Sequence, residues 1–211
     1  MIAILSPAKT LDFETKCDFL DYTISDFLDE SQLLISELKK ISSEELSALM
    51  NLSPKLTNLN FNRYRKWNRN STLNNSRQAI FCFKGGVYVG LAVENLSNND
   101  LLYSQDYLRI LSGLHGVLKP FDLIQPHRLE MGTKLTTEEG NNLYEFWGNK
   151  ITDALNNSLK KTKSDYLLNL ASNEYFSSIN TKKIKTKIID VKFLDKKEDK
   201  YKMISFFAKK A

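Results

Sequence analysis

The chain predicts one compact domain of mixed α and β structure (α+β), a mixed sheet with flanking helices. Three observations carry this expectation. Short apolar runs bounded by turn residues, such as 2–5 and 166–170, have the length and content of buried strands. Longer segments, such as 25–40 and 143–159, repeat apolar residues at helical spacing. No internal repeat, Pro-rich linker or shift in composition divides the 211 residues, so 1–211 is expected to form a single domain.

Taken in order, the run Ile2 to Leu5 ends at Ser6-Pro7 and is a buried first strand. A helix is expected over 25–40, with Phe27, Leu28, Leu33, Leu34, Ile35 and Leu38 on its apolar face. A short helix opens at Ser43, with Ser42 or Ser43 as cap. Ser53 caps the next helix and Pro54 takes its first position; Leu56, Leu59, Phe61, Tyr64 and Trp67 mark its apolar side. Residues 70–76 are polar and form a loop, 79–83 a strand, and Lys84-Gly85-Gly86 a turn. A helix capped by Ser97 or Asn98 is expected over 98–111. Pro126 and Gly132 break 122–140 into irregular structure. One long helix spans 143–159, then come a strand at 166–170 and a turn into a short helix at 172–176. Strands at 184–193 and 201–207 alternate, joined by the charged turn 195–200.

With 42% hydrophobic and 26% charged residues, the composition is that of a globular chain and excludes a disordered one. No apolar run reaches membrane-spanning length, and the N-terminus carries no secretory leader, so a cytoplasmic protein without a membrane partner is expected. Cys17 and Cys82 have no CxxC spacing, which fits a reducing compartment and gives no structural metal site. The net charge of +5 is unevenly placed: residues 160–211 hold 14 Lys against 6 acids, while the rest sum to −3. Such asymmetry suggests a basic face for an anionic partner. Lys182, Lys183, Lys185 and Lys187 equally suit the protection of an edge strand.

Residues 108–118 read Leu-Arg-Ile-Leu-Ser-Gly-Leu-His-Gly-Val-Leu, a helical apolar pattern that enters Gly113-Leu114-His115-Gly116 and continues beyond it. Two glycines around an apolar residue suit a tight hairpin between helices, because Gly accepts positive φ and close backbone approach. A helix-hairpin-helix element presents free N–H groups and a helix dipole to phosphate. A glycine C-cap joining two core helices accounts for the same residues, and Pro120 shortens or delays the second helix.

Other segments offer chemistry. Lys9, in the loop after the first strand, can grip phosphate or act as an amine nucleophile, although the glycines of a Walker loop are missing. Phe61, Tyr64 and Trp67 interleave with four cations but fall near one helical stripe, as core residues do. Glu174, beside Ser172 and Tyr175, can serve as general acid or base, or cap a short helix. His115 and His127 are the two imidazoles, without a triad or HExxH pattern, so neither metal nor cofactor is expected.

Several segments together resemble the YaaA family, peroxide-stress-associated proteins of bacteria. They are Ile-Leu-Ser-Pro-Ala-Lys-Thr-Leu-Asp-Phe at 4–13, Phe-Lys-Gly-Gly-Val-Tyr at 83–88, 108–120, Arg-Leu-Glu-Met-Gly at 128–132, Phe-Trp-Gly at 146–148, Asn-Leu-Ala-Ser-Asn-Glu-Tyr-Phe at 169–176, and 204–211. The set is collinear along the whole chain. The resemblance implies a DNA-binding protein that protects against hydrogen peroxide, with links to lower free iron and to DNA repair. It also implies a positively charged cleft and a helix-hairpin-helix element, which the glycine spacing places at 100–124. Where other members have Tyr in the hairpin, this chain has His115, which adds a pH dependence to phosphate contact. Family members continue past the Ala-Lys-Lys-Ala segment, so a missing C-terminal tail is expected.

The leading expectation is a non-catalytic binder of duplex or distorted DNA, without sequence specificity and without an obligate protein partner. Gly113, Leu114, His115 and Gly116 would hold one phosphate. Lys9, Lys84, Arg109, Lys119 and Arg128 would line the positive path, extended by the C-terminal lysines. The rival is a nucleobase- or sugar-processing enzyme in which Lys9 is the nucleophile, Glu174 the acid or base, and Tyr175 or Trp147 the stacking surface.

Overall fold

The computed structural model describes residues 1–15, 17–197, 200–202 and 205–210. At its centre lie β1 (Ile2–Leu5), β2 (Leu108–Ser112), β3 (Gly116–Leu118), β4 (Tyr166–Asn169) and β5 (Lys187–Asp190), in the spatial order β3-β2-β1-β4-β5. β1 is parallel to both neighbours, with Ala3 opposite Leu108 on one side and Leu168 on the other. β5 is parallel to β4, and β3 antiparallel to β2. A parallel strand covered on both faces reads as an unbroken apolar run, which explains Ile-Ala-Ile-Leu at the N-terminus. Ile2 and Ile4 are completely buried.

Besides a single helical turn at Ala79–Cys82, the helices are α1 (Leu28–Lys40), α2 (Ser43–Met50), α3 (Pro54–Lys66), α4 (Gly86–Leu91), α5 (Asn98–Tyr107), α6 (Leu143–Trp147), α7 (Lys150–Lys161), α8 (Asn173–Phe176) and α9 (Ser205–Lys210). Two-residue alternation along β2 separates the cores. Leu111 joins Ile2, Ile4 and Leu167 in the largest one, with Leu34, Ile35 and Leu38 of α1, Tyr64 of α3, and Ile151, Leu155 and Leu159 of α7. Ile110 turns to Ala79, Cys82, Phe83 and Tyr88, and Leu108 packs on a third cluster with Ile80, Leu101 and Phe121.

The expected caps are present at two helices. Ser42 and Glu45 form a reciprocal capping box on α2, as do Ser97 and Asp100 on α5. Tyr64 and Trp67 are core residues, while Leu56 and Leu59 stay exposed because α3 buries Thr57 and Asn60 instead. Four expectations are corrected. Residues 79–82 form a helical turn, not a strand, and Gly86 opens α4 instead of finishing a turn. The long helix over 143–159 is two helices, broken at Gly148, whose φ is +47°. The last alternating segment is strand at Lys200–Lys202 but helix at Ser205–Lys210; residues 203, 204 and 211 lie outside the described residues.

The fourth correction concerns the hairpin. The helix expected over 98–111 ends at Tyr107, and Leu108–Ser112 is the strand beside β1. A short apolar run buried on both faces has no periodicity that separates helix from strand. Ser112 pairs with Gly116, so 108–118 is a β-hairpin and no helix-hairpin-helix element forms there. Gly116, with φ +64°, supplies the left-handed residue that a three-residue hairpin loop requires.

This turn is seated in the core. Trp147 Nε1 donates to the Gly113 carbonyl at 3.0 Å. A side chain on Gly113 would collide with the Leu129 carbonyl, and one on Gly116 would meet the Trp147 ring at 2.8 Å. Ser31 Oγ lies 3.0 Å from the Leu114 carbonyl and 2.9 Å from His115 Nδ1. The same hydroxyl also reaches the Phe27 carbonyl at 2.8 Å. His115 Nε2 is buried without a partner among the described residues. The His115 and His127 rings meet edge to face at 5.2 Å. Burial pushes both imidazoles down, His115 well below its ordinary value and His127 to about 4.

Two outcomes follow. Gly116→Ala places a left-handed φ on an L side chain and a methyl against Trp147, and is expected to cost about 2–4 kcal/mol in urea unfolding. Unfolding returns both imidazoles to about pKa 6.5, so their contribution is complete above that pH. It is lost as the pH falls toward 4, with His127 accounting for about 3 kcal/mol. The denaturation midpoint measured between pH 7 and 4 should fall steeply, and less steeply in His127→Gln.

Candidate ligand and nucleic-acid surfaces

The loops after β1 and β4 meet because their strands are neighbours. Ser172 N–H donates to Ser6 Oγ at 2.9 Å, and Ser6 Oγ lies 3.2 Å from Ser172 Oγ. The buried Tyr88 supports this junction by donating its hydroxyl to the Ser6 carbonyl at 3.0 Å. A third loop, 128–132, lies against both. Lys9 Nζ stands 3.4 Å from Glu130 Oε1, and Glu174 Oε1 accepts the Gly132 N–H at 3.0 Å. Arg128 holds the same Glu130 oxygen through Nε at 3.0 Å and Nη2 at 2.7 Å. The Arg128 carbonyl is in turn held by the buried Tyr64 hydroxyl.

Burial alone would raise the Glu130 pKa, but the Arg128 hydrogen bonds and charge, with Lys9, outweigh it and hold the carboxyl below its ordinary value. Tyr175 is pushed well up by burial, then by Glu174 and Glu130, so its phenol stays protonated. Beside this cluster, 10–11 pairs with 83–84, bringing Asp12 to Lys84 and Arg77, each at 3.5 Å. Thr15 hydrogen bonds, first through its side chain and then its backbone, hold Asp12 well below the ordinary carboxylate range. α9 packs on α4: a side chain on Gly86 would lie 3.0 Å from Lys209 Cβ, and one on Gly90 would strike the Lys210 backbone. This close approach places Lys209 against Gly86 and Lys210 against Gly90, while the neighbouring Gly85 lies against Ala8.

The residues expected to grip phosphate fare differently. Gly113, Leu114, His115 and Gly116 are buried, and their turn faces Trp147, Ser31 and Leu129 instead of solvent. The pH dependence expected of His115 therefore belongs to folding. Arg109 is buried, donating to the Gln105 and Leu108 carbonyls and to Ser158. Lys119 pairs with Asp26 at 2.9 Å. Lys9, Lys84 and Arg128 reach the surface region just described, each beside a carboxylate. Of the residues proposed for catalysis, Lys9, Glu174 and Tyr175 gather around loop 128–132, whereas Trp147 is completely buried and offers no stacking surface.

A second surface follows the sheet edge. Residues 180–187 run along α7, tied by Asn180 N–H to Thr152 Oγ1 at 2.9 Å, Asn156 Nδ2 to the Lys183 carbonyl at 2.9 Å, and Lys185 N–H to Asn156 Oδ1 at 3.0 Å. Lys182, Lys183, Lys185 and Lys187 are exposed there, next to exposed Lys160, Lys161 and Lys163 at the end of α7. Among the described residues none of these seven lysines is in an ion pair.

Sequence reasoning missed Ser6, Tyr88, Arg77 and Asp12 as parts of this architecture. Ser6 was visible as the first polar residue after a buried strand, but its partner stands 166 positions away. No group of three His, Cys, Asp or Glu residues that could hold a metal occurs among the described residues, and no helix of theirs is long and apolar enough to cross a membrane.

The segments that converge here, 4–13, 83–88, 128–132 and 169–176, are scattered through the sequence, so a comparison that recognises them together has to span the chain. The family described as peroxide stress protein YaaA matches residues 1–211, and the chain belongs to that family.

Proposed function

We propose that this member of a peroxide stress family works in the cytoplasm by binding the DNA backbone, without reading bases and without breaking a bond. The observation that carries this reading is the group of seven exposed lysines at the end of α7 and along residues 182–187 leading into β5, in no ion pair among the described residues. Clustered cations without ion-pair partners attract a polyanion, and counterion release supplies the affinity. Nothing in the group resembles a helix placed to read base edges. The phosphate contact thus moves from the buried hairpin to these lysines, and Lys9, Lys84, Lys119 and Arg128 have a secondary part because each already faces a carboxylate.

The test is fluorescence anisotropy of a labelled duplex across a salt series, with wild type and Lys182→Glu/Lys183→Glu/Lys185→Glu. For wild type, log K should fall with log salt at about 0.9 per neutralised phosphate. The triple variant should bind more than tenfold more weakly, with a slope shallower by about 3. Unchanged binding in the variant would remove these lysines from the reading, and absent binding by wild type at low salt would end it.

A further inference from the structure

The order β3-β2-β1-β4-β5 has a consequence for the carboxyl edge of the sheet. From β1 the chain proceeds to β2 on one side; from β4 it proceeds to β5 on the other. The two connections leave in opposite directions, so a topological switch point lies between β1 and β4. In open sheets with parallel strands, the space outside the carboxyl ends at such a point is where ligands bind. The loops that bound this point carry Ser6 and Lys9 after β1, and Ser172, Glu174 and Tyr175 after β4; loop 128–132 closes over them through Glu130 and Gly132.

Hydrogen-bonding capacity remains there. Two cations, Lys9 and Arg128, share one oxygen of Glu130, and Glu174 meets the same loop at the Gly132 N–H, so neither cation is matched by a carboxylate of its own on the phosphate side. Among the described residues, Arg128 Nη1, the Ser172 hydroxyl proton and the second oxygens of Glu130 and Glu174 have no partner. Donors on cations beside a hydroxyl suit a phosphate, and carboxylate oxygens that can only accept suit the hydroxyls of a sugar.

We propose that the switch point between β1 and β4 is a binding site for a phosphorylated sugar unit. Lys9, Arg128 Nη1 and the Ser172 hydroxyl take the phosphate, and Glu174 and Glu130 accept from the sugar hydroxyls. The unit is supplied either as a free sugar phosphate or as the phosphorylated end of a nucleic-acid strand. The site is separate from the seven lysines and does not depend on them.

The experiment is calorimetric titration of the full chain with ribose 5-phosphate, inorganic phosphate and ribose, followed by competition with a short oligonucleotide bearing either a 5′-phosphate or a 5′-hydroxyl. Ribose 5-phosphate should bind more tightly than phosphate or ribose alone. Lys9→Ala, at an exposed position, should weaken it by about tenfold or more, the effect of one charge-assisted hydrogen bond. Glu174→Gln keeps an oxygen for the Gly132 N–H and should bring ribose 5-phosphate down to the affinity of inorganic phosphate. Lys183→Glu should leave these titrations unchanged even where it weakens duplex binding, so that failure at either site is read separately. Preferential competition by the 5′-phosphorylated strand assigns the unit to strand ends; equal or absent competition by the two strands assigns it to the free sugar phosphate. No binding of either phosphorylated form above its unphosphorylated counterpart, or binding by Lys9→Ala equal to wild type, overturns the proposal.

Discussion

The architecture depends on four residues, Ile2–Leu5, hydrogen bonded to a parallel strand on each side. Parallel pairing cannot be made by a tight turn, so each neighbour is reached through a long excursion of the chain. The first returns at Leu108 and the second at Tyr166. These excursions bring residues from three distant parts of the sequence to one end of β1. Because the neighbours lie on opposite sides, their outgoing loops diverge and leave a place between them. Ser6 and Ser172 close the base of that place through two hydrogen bonds, and Tyr88 fixes it from beneath.

The charged groups are organised in two ways. At the carboxyl edge, cations and carboxylates are interleaved: Lys9 and Arg128 with Glu130, Lys84 and Arg77 with Asp12. Half-buried Glu130 stays ionised because Arg128 meets it in a forked arrangement. Such a cluster has directional donors and acceptors, and so the means to select a ligand by shape. At the end of α7 and along 182–187 the lysines are exposed and in no ion pair among the described residues. That surface has charge and little geometry, which suits a partner recognised by its charge. The two surfaces thus favour different kinds of selectivity within one chain.

The core turn at 113–116 shows why a local motif can mislead. Both glycines are required, but by packing: one lies against the Leu129 backbone and the other against Trp147 at a positive φ. The same two demands, left-handed backbone and close approach, are those of a phosphate-gripping hairpin. What differs is what approaches, and that depends on where α1, α6 and loop 125–131 settle around the turn. Ser31 and His115 complete its burial with polar contacts at the cost of one unpaired imidazole nitrogen.

By itself, the sequence determined the mixed class, the single apolar strand at the N-terminus, the caps at Ser42 and Ser97, the core stripe of Tyr64 and Trp67, and the family through its ordered segments. Each of these rests on local signals: cap chemistry, periodicity, or collinear motif. It also brought forward Lys9, Arg128, Glu174 and Tyr175, since polar residues in loops after strands are exposed to ligands by position alone. Only the tertiary structure decided that 108–118 is a β-hairpin, that Arg109 and His115 are buried, and that Lys9 and Glu174 both meet loop 128–132. Strand pairing and burial are settled by partners more than a hundred residues away, as Ser6 and Ser172 are, and a five-residue apolar run gives no periodicity from which to read them.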